Sequence, residues 1–463
     1  MKRVEDPEKL RVVTAEALAE SFNQAGIRYV VINGLYGYPS GIGRDLDILV
    51  RPGDAPSIIA KCQEICERFG WDRLLVRWSA YGTWQLFFIR KDTEQLSWLE
   101  VDPMLKDTMV LGGACLLGEW GKTNDLGVDY YRGPFPVSKV GYYVKSQLKP
   151  ILYGDLARFK QKYALEAVEE KAIVEYLQGL LGKSMADRYC KATKSGVEAV
   201  SGLGKRLKWT INSRFALRQP WQAIRNVIWS RIVRPIKHYS LTAGMVMQVV
   251  GPDIADKAEV LQEAQKYLNG CFEVRIKQRW IDGGKGGDAQ IGERTGWLRH
   301  WLRIASCCAS LTWRYYAGDR FLPKSVIQFV TVIQVDLYCD GTANVAMNPG
   351  RYGFRSAAGL RWMHKLIPRS IEIVLLPESS EQIVTPNGKG EPRFVIEQMH
   401  RWRAWAHSGD ARNVVLAGES TTETGQRLGH AIVREIEARF GVTQCKKLRP
   451  AKRDYDVGEK ALS

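Results

Sequence analysis

The chain has 463 residues, of which 45% are hydrophobic and 25% are charged, and its formal net charge is +17. This length predicts two or three domains, and the composition is typical of a globular protein. No apolar run approaches the roughly 18 residues that cross a bilayer, and the charged segment Met1–Asp6 is unlike a secretory signal, so we expect a cytoplasmic protein.

The first 138 residues alternate helical and strand patterns. Helices are predicted over Glu8–Ala25 and Ala55–Phe69, where apolar residues recur with helical spacing. Strands are predicted around 28–33, 46–50, 73–78, 84–90 and 97–102. This order indicates an α/β domain.

Two aspartates lie at the start of one of these strands. Asp45 and Asp47 are separated by a single leucine and follow a loop with four glycines, Gly34, Gly37, Gly41 and Gly43. On a strand, residues i and i+2 point to the same side, so both carboxylates can face one site. Two adjacent carboxylates repel each other unless a cation lies between them, and Mg²⁺ is the oxygen-seeking cation used at phosphates.

A third carboxylate follows on a later strand. Ser97–Pro103 is a short apolar segment with acids at alternate positions, Glu100 and Asp102, and Asp102 is the better candidate because it ends the strand. The alternative is a solvated turn in which the two earlier aspartates are surface residues.

These motifs together resemble the nucleotidyltransferase superfamily, whose pattern is Gly-(Gly/Ser), a spacer, Asp-x-Asp and a later aspartate on a strand. The resemblance implies that Asp45 and Asp47 hold Mg²⁺ on a nucleoside triphosphate, ATP or CTP. It also implies that Asp102 completes the site and helps to activate an acceptor hydroxyl, while Gly34 lies under the phosphates. Arg44 or Lys106 would neutralise phosphate charge. The departures are Asn33, where the family often has glycine, and the missing serine after Gly34.

Residues 139–240 form a basic region with a mostly helical pattern. Between Lys139 and Lys237 there are 20 Lys and Arg residues against 7 Asp and Glu, a net charge of +13. Residues 199–238 contain nine basic residues, no acid and three tryptophans. This mixture predicts binding to an anionic membrane surface or an anionic glycan, and nucleic acid is the less favoured partner. The alternative is a helical linker whose tryptophans pack in its core.

A third segment, 241–441, begins with the apolar strand Met245–Val250 followed by a loop that starts at Gly251 and reaches Lys257. It resembles the thymidylate-kinase-like family, whose phosphate loop reads Gly-Pro-Asp-Gly-Ala-Gly-Lys-Ser-Thr. Gly251 and Lys257 match that loop and are the nucleotide-binding candidates it implies. Ile254 and Asp256 replace the inner glycines, and Ala258 removes the hydroxyl that would hold Mg²⁺.

The resemblance covers about 245–440 and implies a P-loop kinase fold with a parallel sheet. Further matching segments are Val332–Asp340, Asn348–Gly353 and Leu366–Leu376, and the segment that matches the family's lid, 383–391, lacks its arginine. Because several catalytic elements are lost together, we expect a pseudokinase. Residues 442–463 are expected to form a mobile basic tail.

The order of the two domains resembles that of tandem proteins encoded in surface-polysaccharide gene clusters. It implies Mg²⁺-dependent nucleotidyl transfer in capsule or lipopolysaccharide biosynthesis, with a peripheral location at the inner membrane. The alternative is a non-catalytic docking or scaffold protein in which the aspartates have lost their chemistry.

Overall fold

The computed structural model has an α/β architecture, as predicted, and its described residues divide into two compact units. The first unit draws on Met1–Arg90, Ser97–Lys237 and Glu437–Ser463, and the second on Lys91–Leu96 and His238–Ile436. Across the described residues, the helices are too short or too polar to cross a bilayer. The described residues are 6–78, 84–105, 110–111, 113–117, 128–159, 166–167, 169–229, 245–250, 257–273, 275–277, 327–330, 370–376, 413–416 and 420–441.

The first unit contains a mixed sheet of seven strands in the order β3-β4-β5-β2-β1-β9-β8. The central strand β2 pairs in parallel with β5 and antiparallel with β1, and β1 pairs in parallel with β9. A separate two-stranded hairpin is formed by β6 and β7. The strands are β1 Tyr29–Asn33, β2 Asp45–Val50, β3 Arg73–Trp78, β4 Trp84–Lys91, β5 Leu96–Leu105, β6 Val110–Leu111, β7 Ala114–Cys115, β8 Tyr130–Arg132 and β9 Phe135–Val137.

Helices α1 (Pro7–Gln24) and α2 (Ala55–Arg68) cover the first face of this sheet. α1 begins where its sequence predicts, because Asp6 Oδ1 accepts a hydrogen bond of 2.8 Å from the Glu8 N–H and a proline occupies the first turn. Leu46, Ile48 and Val50 of β2 point into this core.

A second core lies on the opposite face of the sheet, beneath the helices that follow residue 138. Strand residues such as Val30 and Leu49 pack there with Leu148, Leu177 and Leu207. The boundary predicted at residue 138 therefore separates the strands from the helices along the chain. Side-chain packing nevertheless joins the strands and these helices in one compact unit. These helices are α3 Lys139–Tyr143, a π-helical turn Val144–Leu148, α4 Lys149–Tyr153, α5 Lys171–Leu181, α6 Lys183–Ser195, α7 Val197–Arg218 and α8 Pro220–Ile228.

The tryptophans of this basic region do not all pack inward. Trp209 on α7 is 73% exposed and Trp221 on α8 is 82% exposed. The alternative of a linker with its tryptophans in the core is therefore wrong for these two residues. α7 buries its other side through Val200, Leu207 and Ile211, and α8 buries Ala223.

In its described residues the second unit contains a sheet of five strands in the order β11-β12-β10-β13-β14, and the four pairings between these neighbouring strands are parallel. Among the described residues of this part of the chain are the helices α9 (Lys257–Leu268) and α10 (Thr421–Phe440), and Gly429 of α10 leaves no room for a Cβ beside Tyr267 of α9. The strands are β10 Met245–Val250, β11 Arg275–Lys277, β12 Ile327–Val330, β13 Ser370–Leu376 and β14 Asn413–Leu416.

Several predictions for the second unit fall outside the described residues. These are the loop residues from Gly251 to Asp256, the segments Val332–Asp340 and Asn348–Gly353, the lid region 383–391, and the tail 442–463. The predicted strand within Leu366–Leu376 corresponds to β13.

Candidate active site

The register of two parallel strands brings the predicted aspartates side by side. On β2 and β5, Asp47 faces Asp102 and Asp45 faces Glu100. Because adjacent strands lie about 4.8 Å apart, each facing pair shares one small area of the sheet. We call these four residues the carboxylate cluster.

The carboxylate cluster lies on the face of the sheet that the later helices cover. Leu49 follows Asp47 by two residues on β2 and packs in the second core, so the alternation of the strand places both aspartates on the same side as Leu49. Met104 marks that side on β5 in the same way, two residues after Asp102. The sequence-based prediction that the aspartates share one side is confirmed by the strand register.

A β-bulge adds Asn33 to the site. The pairing of β1 with β2 shifts between Val31 and Asn33, so that Asn33 faces Asp47. The Asn33 Nδ2 donates a hydrogen bond of 2.8 Å to Asp47 Oδ2. Asn33, which departs from the family pattern, therefore orients one of the two carboxylates that define the motif.

Lys145 neutralises Asp47 from the helical side. Its Nζ lies 2.7 Å from Asp47 Oδ1, and the side chains are 16% and 0% exposed, respectively. Lys145 belongs to the π-helical turn, and π-turns inside helices are frequent at functional sites. Lys149 begins α4, one turn later, and its charge also acts on the cluster.

Burial and neighbouring charges shift the pKa values of the carboxylate cluster and of its two lysines. Burial, followed by the charge of Asp47, raises the pKa of Asp45 from its ordinary 3.8 to about 8. Burial also raises the pKa of Glu100 well above its usual range, and the neighbouring aspartates add to this effect. Burial alone would lower the pKa of Lys145, but the surrounding carboxylates, Asp47 first, raise it above its ordinary value. Burial and the charge of Lys145 lower the pKa of Lys149 to about 8.

We expect Asp45→Asn to stabilise the protein in EDTA at neutral pH by about 1–2 kcal/mol, because it removes one crowded acid. The folded unit holds a proton on Asp45 that the unfolded chain releases, so the contribution of Asp45 to stability falls as the pH rises from 3.8 to about 8. Thermal unfolding across this pH range measures the effect. Asp187→Asn, at an exposed position of α6, should leave both the stability and its pH dependence unchanged. If the two variants have the same stability, Asp45 does not destabilise the folded unit.

Gly34 closes the loop between β1 and β2. Its φ is +106°, a conformation that L residues rarely adopt, and its carbonyl accepts a hydrogen bond of 2.8 Å from the Gly43 N–H. A Cβ at Gly34 would lie 2.4 Å from the carbonyl oxygen of Asp45. The glycine therefore fixes the approach of the loop to the start of β2, and its predicted contact with phosphates remains a prediction.

The other nucleotide-binding candidates occupy different places. Arg44 is exposed, its guanidinium lies 5.8 Å from the centre of the Trp98 ring, and its carbonyl accepts a hydrogen bond of 2.7 Å from Glu100 N–H. Lys257 begins α9 in the second unit. Gly251 and Lys106 lie outside the described residues. The structure thus brings Arg44 next to the carboxylate cluster through its backbone.

Sequence reasoning missed Lys145 and Lys149 as members of the site. Both lie in a region with 20 basic residues, and nothing local distinguishes them from the others. Lys145 is separated from Asp47 by 98 residues. The one available signal is their spacing of four residues, which puts two cations on one side of a helix.

The donor atoms of the cluster fit a magnesium ion chemically. Asp47 and Asp102 offer hard carboxylate oxygens, and each oxygen of Asp47 that accepts one hydrogen bond retains a second lone pair. Magnesium at a nucleotide is usually held by one or two carboxylates plus phosphates instead of a closed protein cage. Within the residues that the structure describes, no three His, Cys, Asp or Glu side chains are placed to hold a metal by themselves. Asp47 and Asp102 therefore suit an ion that arrives with a nucleotide.

Comparison with known proteins does not assign this site. No protein-family model matches the chain, and no curated protein is significantly similar to it. A function is therefore inferred from the chemistry of the carboxylate cluster and from the motifs.

Proposed function

We propose that the first unit is a Mg²⁺-dependent nucleotidyltransferase that uses a nucleoside triphosphate, ATP or CTP, and an acceptor hydroxyl. The observation that carries the proposal is the facing of Asp47 and Asp102 on adjacent parallel strands, with Asp45 on the same side of the sheet. The glycine loop from Gly34 to Gly43 reaches the same end of β2 and supports an approach by phosphates.

In the proposed reaction, the acceptor oxygen forms a bond to the α-phosphorus. The bond from that phosphorus to the oxygen bridging the β-phosphate breaks, and pyrophosphate leaves with the bonding electrons. Asp102 takes the proton of the acceptor hydroxyl. Bound Mg²⁺, held by Asp47 and Asp102 with Asp45 beside them, would supply charge neutralisation on the phosphate oxygens.

Asn33 and Lys145 act as positioning residues in this proposal. Together they hold both oxygens of Asp47 through one hydrogen bond and one ion pair. The side chain of Asp47 is thereby held in position before any nucleotide binds. Such preorganisation lowers the cost of assembling the site.

We further propose that the second unit is a pseudokinase and that the chain acts in surface-polysaccharide biosynthesis. The parallel sheet supports the first part, since β10 is central and the loop containing Gly251 follows its carboxyl end, the end at which open parallel sheets bind ligands. The replacements at Ile254, Asp256 and Ala258 support the loss of kinase chemistry.

Titration with ATP and with CTP, in MgCl₂ and in EDTA, tests the nucleotidyltransferase proposal. We expect Mg²⁺-dependent binding that Asp45→Asn and Asp102→Asn each weaken by about tenfold or more, because each replaces an acid that can ionise beside the ion with a neutral amide. Asp187→Asn is the matched control and should bind like the wild type. Neither site variant removes a member of the buried ion pair between Lys145 and Asp47, so we expect both to fold and the change in binding to report on the site.

One observation favours a second candidate, a non-catalytic docking or scaffold protein. Lys145 already neutralises Asp47, so part of the cluster is compensated without any metal ion. If Asp45→Asn and Asp102→Asn bind both nucleotides as well as the wild type does in MgCl₂, the carboxylates are structural and this second candidate replaces the enzyme.

A further inference from the structure

Helix α8 turns its apolar side outward. Trp221, Ile224 and Ile228 follow one another at spacings of three and four residues and so lie on one side of the helix. The exposed fractions of Ile224 and Ile228 are 50% and 45%, and Trp221 is more exposed still. Amphipathic helices of globular proteins normally bury this apolar stripe, whereas α8 exposes it to solvent.

The opposite side of α8 anchors it to the first unit. Ala223 is buried against Gly113, in the turn of the β6–β7 hairpin. Asn226 Nδ2 donates a hydrogen bond of 3.1 Å to the Gly113 carbonyl, and Asn212 of α7 accepts hydrogen bonds of 3.2 Å from the backbone of the same turn. Small and polar residues thus hold the helix in place, and its apolar stripe is left for another contact.

The exposed side of α7 has the same character. Trp209 lies opposite the residues that α7 buries, and Leu217 is 84% exposed near the end of the helix. Lys205 and Arg206 are exposed on this side, and there is no acid between Ala199 and Trp229. We call these exposed residues the basic–apolar surface: Lys205, Arg206, Trp209, Leu217, Trp221, Ile224, Arg225 and Ile228.

We propose that the basic–apolar surface docks the first unit on an anionic lipid surface. Trp221, Ile224 and Ile228 enter the boundary between headgroups and acyl chains, and the arginines and lysines remain with the anionic headgroups. The charge of this segment is complementary to anionic lipid, and tryptophan suits such a boundary because it is apolar with one polar N–H.

The aliphatic residues decide between lipid and other polyanions. A nucleic acid or an anionic glycan could use the tryptophans and the cations, but it would leave Ile224, Ile228 and Leu217 in water. Acyl chains remove aliphatic side chains of this kind from water, and this burial is the larger favourable contribution to binding for a helix of this type. This inference is independent of the chemistry at the carboxylate cluster.

Co-sedimentation of the full chain with vesicles tests the proposal. We expect binding to vesicles of phosphatidylcholine mixed with phosphatidylglycerol, weaker binding to phosphatidylcholine alone, and a decrease with added salt. The double variant Ile224→Gln and Ile228→Gln should bind about tenfold more weakly, because its apolar stripe is lost. Arg225→Gln should bind about fivefold more weakly, through the loss of one cation near the surface.

Two controls separate docking from folding and from catalysis. Tyr131→Gln changes an exposed aromatic residue on β8 and should bind vesicles like the wild type. Asp45→Asn should also retain vesicle binding, so failure of the nucleotidyltransferase proposal leaves this one standing. Equal binding to both vesicle types would overturn the proposal, as would unchanged binding of the double variant. Retention of single-stranded DNA or an anionic polysaccharide without vesicle binding would overturn it too.

Discussion

Replacement of Lys145 by methionine should destabilise the first unit by about 3–5 kcal/mol, the usual cost of leaving one member of a buried ion pair without its partner. The reason is that Asp47 is fully buried, and without Lys145 its carboxylate would lie among the other acids of the cluster without the cation that pairs with it. Hydrogen–deuterium exchange of the β2 and β5 amides, together with thermal unfolding, measures the loss where it arises.

A matched variant separates this effect from the general loss of a lysine. Lys171→Met breaks the exposed pair with Glu175, whose atoms lie 3.8 Å apart, and should cost less than about 0.5 kcal/mol. Asp47→Asn added to Lys145→Met should recover part of the stability, because the unpaired charge is then gone. If Lys145→Met is as stable as Lys171→Met, the ion pair does not neutralise the site.

Replacement of Gly34 by alanine should destabilise the first unit by more than about 2 kcal/mol, which places it among the severe single substitutions. The added Cβ would lie 2.4 Å from the Asp45 carbonyl oxygen and 2.8 Å from the Leu46 Cα, and these backbone atoms belong to the central strand of the sheet. We expect β2 to shift and binding of ATP or CTP to weaken. Thermal unfolding and nucleotide titration measure the two effects.

Gly26 provides the control for backbone conformation alone. Its φ is +67° and a Cβ there would meet nothing within 4 Å, so Gly26→Ala should cost about 1–2 kcal/mol from the left-handed conformation. The excess cost at Gly34 is then the steric contact with β2. An equal loss in the two variants would mean that the loop relaxes around the new methyl group.

The larger elements of the first unit could be predicted from local patterns. α1 and α2 and the strands from β1 to β5 lie within a few residues of their predicted positions, because each has a clear period and ends at glycine, proline or polar residues. β8 and β9 were not predicted, since three residues are too few to establish alternation. The parallel sheet of the second unit agrees with its prediction, whereas its loop chemistry stays a prediction.

Only the part of the site that lies on β2 and β5 could be predicted from the sequence. The facing of Asp47 and Asp102 follows from two strand patterns and one parallel pairing. Asn33 departs from the family pattern, which often has glycine at this position, and alternation counted from Tyr29 assigns it to the other face of the sheet. Only the bulge turns it towards Asp47. Lys145 depends on packing between segments far apart in the chain, and its spacing of four residues from Lys149 does not indicate which strand the two lysines meet.

The second core, which strands and helices share, also determines where the chain can be truncated. A truncated protein that stops at Ser138 would keep the nine strands that the structure describes in the first unit, yet Val30, Ile32, Leu49 and Met104 would face water. It would also lose both lysines that offset the acids. One face of its sheet would then be apolar and exposed, and its buried acids would lack compensating positive charge. Any excised portion that carries the aspartates must therefore extend through α7.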